Sequence, residues 1–346
     1  MHTTRVIAHR GASGWAPEHT ETAVRLAAAL GADAVEPDLV ATRDGVLVVR
    51  HDNELSETTD IASRPELADR RRTQAIDGVE LTGWFVEDLT WPEVATLRAR
   101  ERLPQLRPLS ARRDGADGIL RFTDLLAIAG EVGLDVVAEL KHATHHASIG
   151  LPLDAMLADA LARSEWRTSG RLTLESFEEE VLHQVRALGV EARLVYLMDV
   201  DGTAPDLLAR ADASAADAHA PAGAAIAPDA ASRQTSVPTY AEQRTDESLA
   251  ALARRVDSIS VAKSVLFDRD DEGLRTSDLV ERASAAGLGT IAWTLRPENA
   301  FLEPEHRLGE HAAAWGDWQT EWMLLAELGL EAVFVDHPDL WRRVER

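Results

Sequence analysis

A-V-E-P-D-L-V-A-T-R-D-G-V-L-V-V-R-H-D, residues 34–52, opens as a β-strand, meets a proline and returns as a hairpin. Residues 34–38 read as buried strand, and the two-residue period of a strand sends Glu36 and Asp38 to one face. Pro37 has no N–H to give a sheet ladder, so the strand is close to its end there. Asp44-Gly45 between alternating apolar residues predicts a two-residue hairpin loop. That register pairs Arg43 with Val46 and, counted outward, Asp38 with His51, which brings the imidazole back to the carboxylates. A bulge or a three-residue loop would move the pairing by one and aim His51 away.

The surrounding chain repeats the pattern. Residues 4–8 form a short apolar, β-branched run, so His9 and Arg10 fall at a strand's C-terminal end, where Gly11 and Gly14 permit a turn. D-V-V-A-E-L-K-H at 135–142 is another strand, with Glu139 and Lys141 on one face. Further strand-like runs lie at 171–174, 192–197, 258–261, 290–293 and 332–335. Helix-like stretches at 22–30, 122–132, 152–163, 178–188, 246–254, 278–286 and 318–328 fall between most of them. Eight strands alternating with helices predict a (β/α)8 TIM barrel, whose active site lies at the C-terminal strand ends, where all these candidates fall. Residues 52–118, polar and arginine-rich, read as an irregular subdomain inserted after the second strand, over the barrel mouth. Residues 201–245, rich in Ala, Asp, Pro and Ser, read as a mobile loop within one barrel domain spanning 1–346. No repeat of fixed period is present.

The residue types suggest a chemistry. Glu36, Asp38 and Glu139 on neighbouring strand ends can offer oxygen ligands to one divalent cation, calcium or magnesium. Such an ion would offset charge developing on a phosphoryl oxygen. Arg10 and Lys141 add cationic donors, one forked and one a point charge. His9 and His51 could divide proton transfer, since imidazole titrates near neutrality.

The ordered blocks H-R-G at 9–11, P-E-H-T at 17–20, E-P-D at 36–38, T-R-D-G at 42–45, H-D at 51–52, E-L-K at 139–141, S-F at 176–177, W-T at 293–294 and V-D-H-P-D at 335–339 resemble those of the glycerophosphodiester phosphodiesterase family. E-D-L-T at 87–90 and R-P-E-N at 296–299 are similar to segments of its longer bacterial branch. The resemblance implies hydrolysis of a glycerophosphodiester to glycerol phosphate and an alcohol. It implies metal ligation by Glu36, Asp38 and Glu139, an acid–base pair in His9 and His51, and substrate contacts from Arg10, Glu18, Lys141 and Trp293. A lysophospholipase D, a non-catalytic phosphodiester-binding barrel and a metal-dependent lyase are the alternatives; the first would need an apolar groove at the mouth.

Composition sets outer limits. The 346 residues are 45% hydrophobic and carry a net charge of −23, which disfavours nucleic acid or an anionic membrane surface as partner. The expected partner is a small molecule. Zero cysteines exclude disulfides and thiolate chemistry. No run of 18 apolar residues and no secretory leader after Met1 can be read, the pattern of a cytoplasmic protein. Duller readings apply elsewhere. Glu18 beside Thr20 suits a helix's first turn as well as a site. His142, His145 and His146 resemble a transition-metal cluster, but no carboxylate or cysteine shares their spacing, and they read as a polar loop. Trp15, Trp84 and Trp91 read as packing residues of the inserted cap.

Overall fold

Pro37 divides the second barrel strand into Ala34–Glu36 and Asp38–Ala41 without shifting its register. Ala34 lies opposite Asp135 and Asp38 opposite Glu139, because the Pro37 carbonyl still accepts from the Glu139 N–H at 2.9 Å. The computed structural model describes residues 4–218, 237–271 and 273–344. Arg5–His9, the divided strand, Asp135–Leu140, Leu172–Ser176, Arg193–Met198, Ser258–Ala262, Gly289–Leu295 and Ala332–Val335 follow one another as parallel neighbours. Ala332–Val335 pairs back with Arg5–His9, which closes the sheet into the expected (β/α)8 barrel. No helix among the described residues is long and apolar enough to cross a membrane.

Alternation along the strands separates two environments. Val6, Ala8, Val136, Ala138, Val333 and Val335 join the large apolar layer between sheet and helices. Ile7, Ala34, Val137, Val195, Ile291 and Phe334 form a second cluster, which the alternation places inside the barrel. Two residues beyond these inward positions come His9, Glu36, Glu139, Leu197, Trp293 and Asp336. The chemistry therefore sits on the layer that follows the apolar plug. Helices pack outside with local stop and start signals. Glu21–Ala29 begins where the Thr20 hydroxyl accepts from the Ala23 N–H, and Phe122–Val132 ends on Gly133 at φ 81°.

Two insertions depart from their predicted character. Beyond the hairpin, Leu55, Ile61, Leu67, Val86, Leu89, Val94 and Leu97 bury themselves with Val40 and Val48 in a cluster of their own. That region also carries a β-hairpin, Arg72–Ile76 with Val79–Gly83, closed by Asp77 and Gly78, both at positive φ. The polar composition of 52–118 concealed this core because its apolar residues are spread among arginines and acids. The expected loop at 201–245 begins instead with a helix, Pro205–Ala218, since six of its fourteen residues are alanine, which has high helix propensity. Residues 219–236 of that span lie outside the described residues.

Phe122, fully buried in the layer between sheet and helices, tests this packing. Phe122→Ala should cost about 3–5 kcal/mol, read as a lower urea midpoint at unchanged slope.

Candidate active site

The hairpin after the second strand has a three-residue loop. Thr42 N–H donates to Val46 O at 3.0 Å, Gly45 takes φ 81°, and Leu39, Val40 and Ala41 face Val49, Val48 and Leu47. Asp38 is therefore opposite Arg50, one position off the expected pairing with His51; the Asp44 carboxylate, tied to the Thr42 hydroxyl and the Trp91 N–H, favours the longer loop. His51 still reaches the site, because pairing stops at Arg50 and the chain bends at His51.

One cavity of about 250 Å³ at the C-terminal strand ends is lined by His9, Arg10, Glu36, His51, Glu139 and Lys141. Trp293 and Arg296 close it on one side, with Phe177, Leu197 and Phe334 as apolar walls. Of the residues expected from sequence, Asp38 and Glu18 are not on this wall. Asp38 is buried beside it, its Oδ2 2.7 Å from His19 Nε2 and 3.4 Å from Arg10 Nε. Glu18 lies behind Arg10: Arg102 takes both its oxygens at 2.8 and 2.9 Å, and Arg10 Nη1 is 3.3 Å away. Its carboxylate is taken up by the two guanidiniums.

Glu36, Glu139 and Glu175 can bring one oxygen each within 4.8 Å of one another. Glu175 was not foreseen. Its strand runs on to Ser176, two residues past the predicted end, and Thr173 and Glu175 pair with Val137 and Glu139. Counting by twos along T-L-E-S-F would have placed it. Glu175 is 2% exposed and its Oε2 is buried without a protein partner. Glu36 Oε2 accepts from the Arg10 N–H at 2.8 Å, an anchor that holds Arg10 at a left-handed φ of 60°.

Electrostatics divide these acids into two sets. Burial and neighbouring carboxylates raise Glu36 and Glu175 well above the usual range and push Glu139 up to about 8, even with Lys141 Nζ at 3.0 Å. Burial would raise Asp38, Glu18 and Asp336 too, but cations more than offset it. For Asp38 these are Arg10 and Lys141, beside the hydrogen bond with His19, for Glu18 Arg102 and Arg10, for Asp336 Arg296 and Arg107. Both histidines are held neutral: burial, then Arg10, lowers His9 to about 4, and burial, Arg10 and Lys141 lower His51 to about 3.

The histidines are oriented alike. His9 Nδ1 is 2.7 Å from Asp336 Oδ1, and His51 Nδ1 is 2.6 Å from Asp52 Oδ1. A carboxylate at Nδ1 favours the tautomer with the proton there, leaving Nε2 for proton transfer. His51 Nε2 then accepts from Lys141 Nζ at 3.2 Å.

The family model of the glycerophosphoryl diester phosphodiesterases matches residues 9–340. The chain belongs to that family. A glycerophosphodiester phosphodiesterase of Arabidopsis thaliana is 27% identical over 338 residues, 95% of this chain and 82% of the relative. One from Haemophilus influenzae is 42% identical over 96 residues, 28% of this chain and 24% of the relative. Among solved structures, a glycerophosphoryl diester phosphodiesterase of Silicibacter pomeroyi superposes with TM-score 0.64 at 20% identity, covering 99% of this chain and 93% of that one. A phosphodiesterase of Oleispira antarctica, solved with the product sn-glycerol-3-phosphate, gives TM-score 0.61 at 21% identity, with 99% and 96% covered. At these identities the two structures establish the shared barrel.

Because burial and crowding raise the carboxyls of the trio, a cation binding there would compete with protons. Calcium or magnesium added to chelator-treated protein near pH 7 should release protons and bind more tightly as pH rises, both read by calorimetry in buffers of differing ionisation enthalpy. Binding with no proton release would contradict the electrostatics of the trio.

Proposed function

We propose that this chain hydrolyses glycerophosphodiesters to sn-glycerol 3-phosphate and a free alcohol, with His9 and His51 as the acid–base pair. One observation carries the reading: two neutral imidazoles, each with a carboxylate at Nδ1, enter one cavity with Arg10, Lys141 and three buried carboxylates. Family membership supports it, as does the glycerol phosphate held by the Oleispira antarctica phosphodiesterase of the same fold.

The neutral imidazole of one histidine takes the proton as the attacking hydroxyl oxygen bonds to phosphorus. The other, entering protonated, gives its proton to the departing alkoxide as the P–O bond breaks. The anionic diester favours that protonated form, offsetting the burial that lowers both rings in its absence. Arg10 and Lys141 bind the phosphoryl oxygens, and Trp293 packs against the substrate. Water suits the nucleophile's part directly; the glycerol hydroxyl next to the phosphate suits it when the cyclic diester it forms is then opened by water to give glycerol phosphate.

Glu36, Glu139 and Glu175 fit a divalent cation, since Glu175 Oε2 has no partner and the three acids repel one another without a countercharge. A hard ion held there, calcium or magnesium, would supply positive charge to a phosphoryl oxygen. Asp38, named with the ligands from sequence, instead holds Arg10 and His19 in this reading. The tryptophans that an acyl-chain groove would need pack elsewhere: Trp84 and Trp91 on the insertion's apolar cluster, Trp15 against Trp315 and His337. That favours the small diester over a lysolipid.

His9→Ala and His51→Ala should each reduce glycerol 3-phosphate release from glycerophosphocholine by at least about a hundredfold. A variant at full rate would remove its ring from the mechanism. Glu175→Gln should weaken calcium binding in calorimetry by more than the roughly tenfold typical of losing an outer-shell partner, and Asp38→Asn by less than Glu175→Gln.

A further inference from the structure

Both histidine–carboxylate pairs are closed from behind by arginines of one short segment. Arg102 Nη2 lies 2.6 Å from Asp52 Oδ2, whose other oxygen meets His51. Arg107 Nη2 donates to Asp336 Oδ2 at 2.6 Å, and the other oxygen meets His9. Arg107 is 6% exposed in its side chain and Arg102 19%, against the open arginines of the barrel's outer surface.

Each guanidinium is itself locked. Arg102 also forks onto Glu18, and Arg107 Nε donates to the buried Glu298 at 2.8 Å. The segment between them is a fixed turn. Glu101 Oε1 accepts from the Leu103 N–H at 2.8 Å and its Oε2 from the Ser110 hydroxyl. Leu103 O accepts from the N–H groups of Leu106 and Arg107 at 2.9 and 2.8 Å, and the Glu101 N–H reaches Asp114 at 2.8 Å. Asp336 has a second cation, Arg296 Nε at 2.6 Å, whereas among the described residues Asp52 has Arg102 as its arginine.

We propose that residues 101–107 of the insertion form a bracket whose two arginines position both histidines of the phosphodiester reaction by fixing the carboxylate at each Nδ1. Arg102 and Arg107 are positioning residues. They touch no reacting atom, but a carboxylate gripped at one oxygen holds its other oxygen, and hence the imidazole plane and tautomer, in place. The insertion is thereby part of the catalytic apparatus. A purely stabilising role for the same ion pairs would leave the rings unaffected, and that difference decides the test.

The inference rests on the proposed reaction, so the experiment reads ring and rate separately. Arg102→Met, Arg107→Met and the double variant are compared with Arg102→Lys and Arg107→Lys, which keep the charge and lose the fork. Ring 15N shifts of His9 and His51, assigned with His9→Asn and His51→Asn, give the tautomer. Kinetics on glycerophosphocholine give kcat and KM.

In the unaltered protein both rings should carry the proton on Nδ1. Arg102→Met should replace that signature at His51 by an exchange average and lower kcat by roughly tenfold to a hundredfold. Arg107→Met should act at His9 and more weakly, because Arg296 stays on Asp336. The lysine variants should recover only part of kcat, and they serve alone where a methionine variant does not fold. Folded variants with kcat within twofold of the parent, or with lowered kcat and both ring signatures intact, would overturn the bracket. Ring changes in the arginine variants of a parent that does not cleave the diester would sustain the bracket and sink the proposed reaction.

Discussion

Like charge crowded among buried carboxyls at the barrel mouth is the constraint around which the rest is arranged. Glu36, Glu139 and Glu175 stand at the ends of neighbouring strands with carboxylate oxygens a few ångströms apart. Two unit charges at 4 Å repel by about 4 kcal/mol at an effective dielectric of 20. Protons or a bound cation must relieve that. The surroundings follow from it: Lys141 sits against Glu139, and the Arg10 backbone bends into a left-handed conformation to donate to Glu36. A chain with net charge −23 thus keeps Arg10, Lys141 and Arg296 on the wall that an anionic diester would meet.

The acids outside the trio serve the opposite purpose. Asp38, Glu18, Asp52 and Asp336 are each bound to cationic partners and stay ionised, so they can orient what they touch. Asp52 and Asp336 aim imidazoles, while Glu18 and Asp38 aim the Arg10 guanidinium from two directions. The cost of burying these charges is offset because each is both paired and hydrogen-bonded. The inserted region enters here through Arg102 and Arg107, which reach Asp52 and Asp336, while the barrel contributes Arg10 to Glu18 and Asp38 and Arg296 to Asp336.

Much of this was legible in the chain because strand periodicity is a local property. His9, Glu36, Glu139, Lys141 and Trp293 could be placed by counting along strands, and all line the cavity. Glu175 was missed only because its strand was ended two residues early. His51 was placed at the site by a register that is off by one; it arrives because the pairing ends before it. The sequence leaves Glu18 between a helix start and a substrate contact, since nothing in P-E-H-T tells that Arg102, 84 residues away, will claim its carboxylate. The core of 52–118 was hidden for a related reason: its apolar residues have no single period and gather only when the hairpin lends Val40 and Val48.

By itself the sequence determined the barrel, the strand ends on which chemistry could sit, and the residue types found there, because alternation and turn chemistry act between near neighbours. Tertiary structure alone decided which acids are crowded and which are paired, which oxygen of each carboxylate faces a histidine, and that one turn of the insertion reaches both. Those outcomes depend on distances between segments far apart in the chain, and the balance of burial against countercharge is set only when the barrel closes.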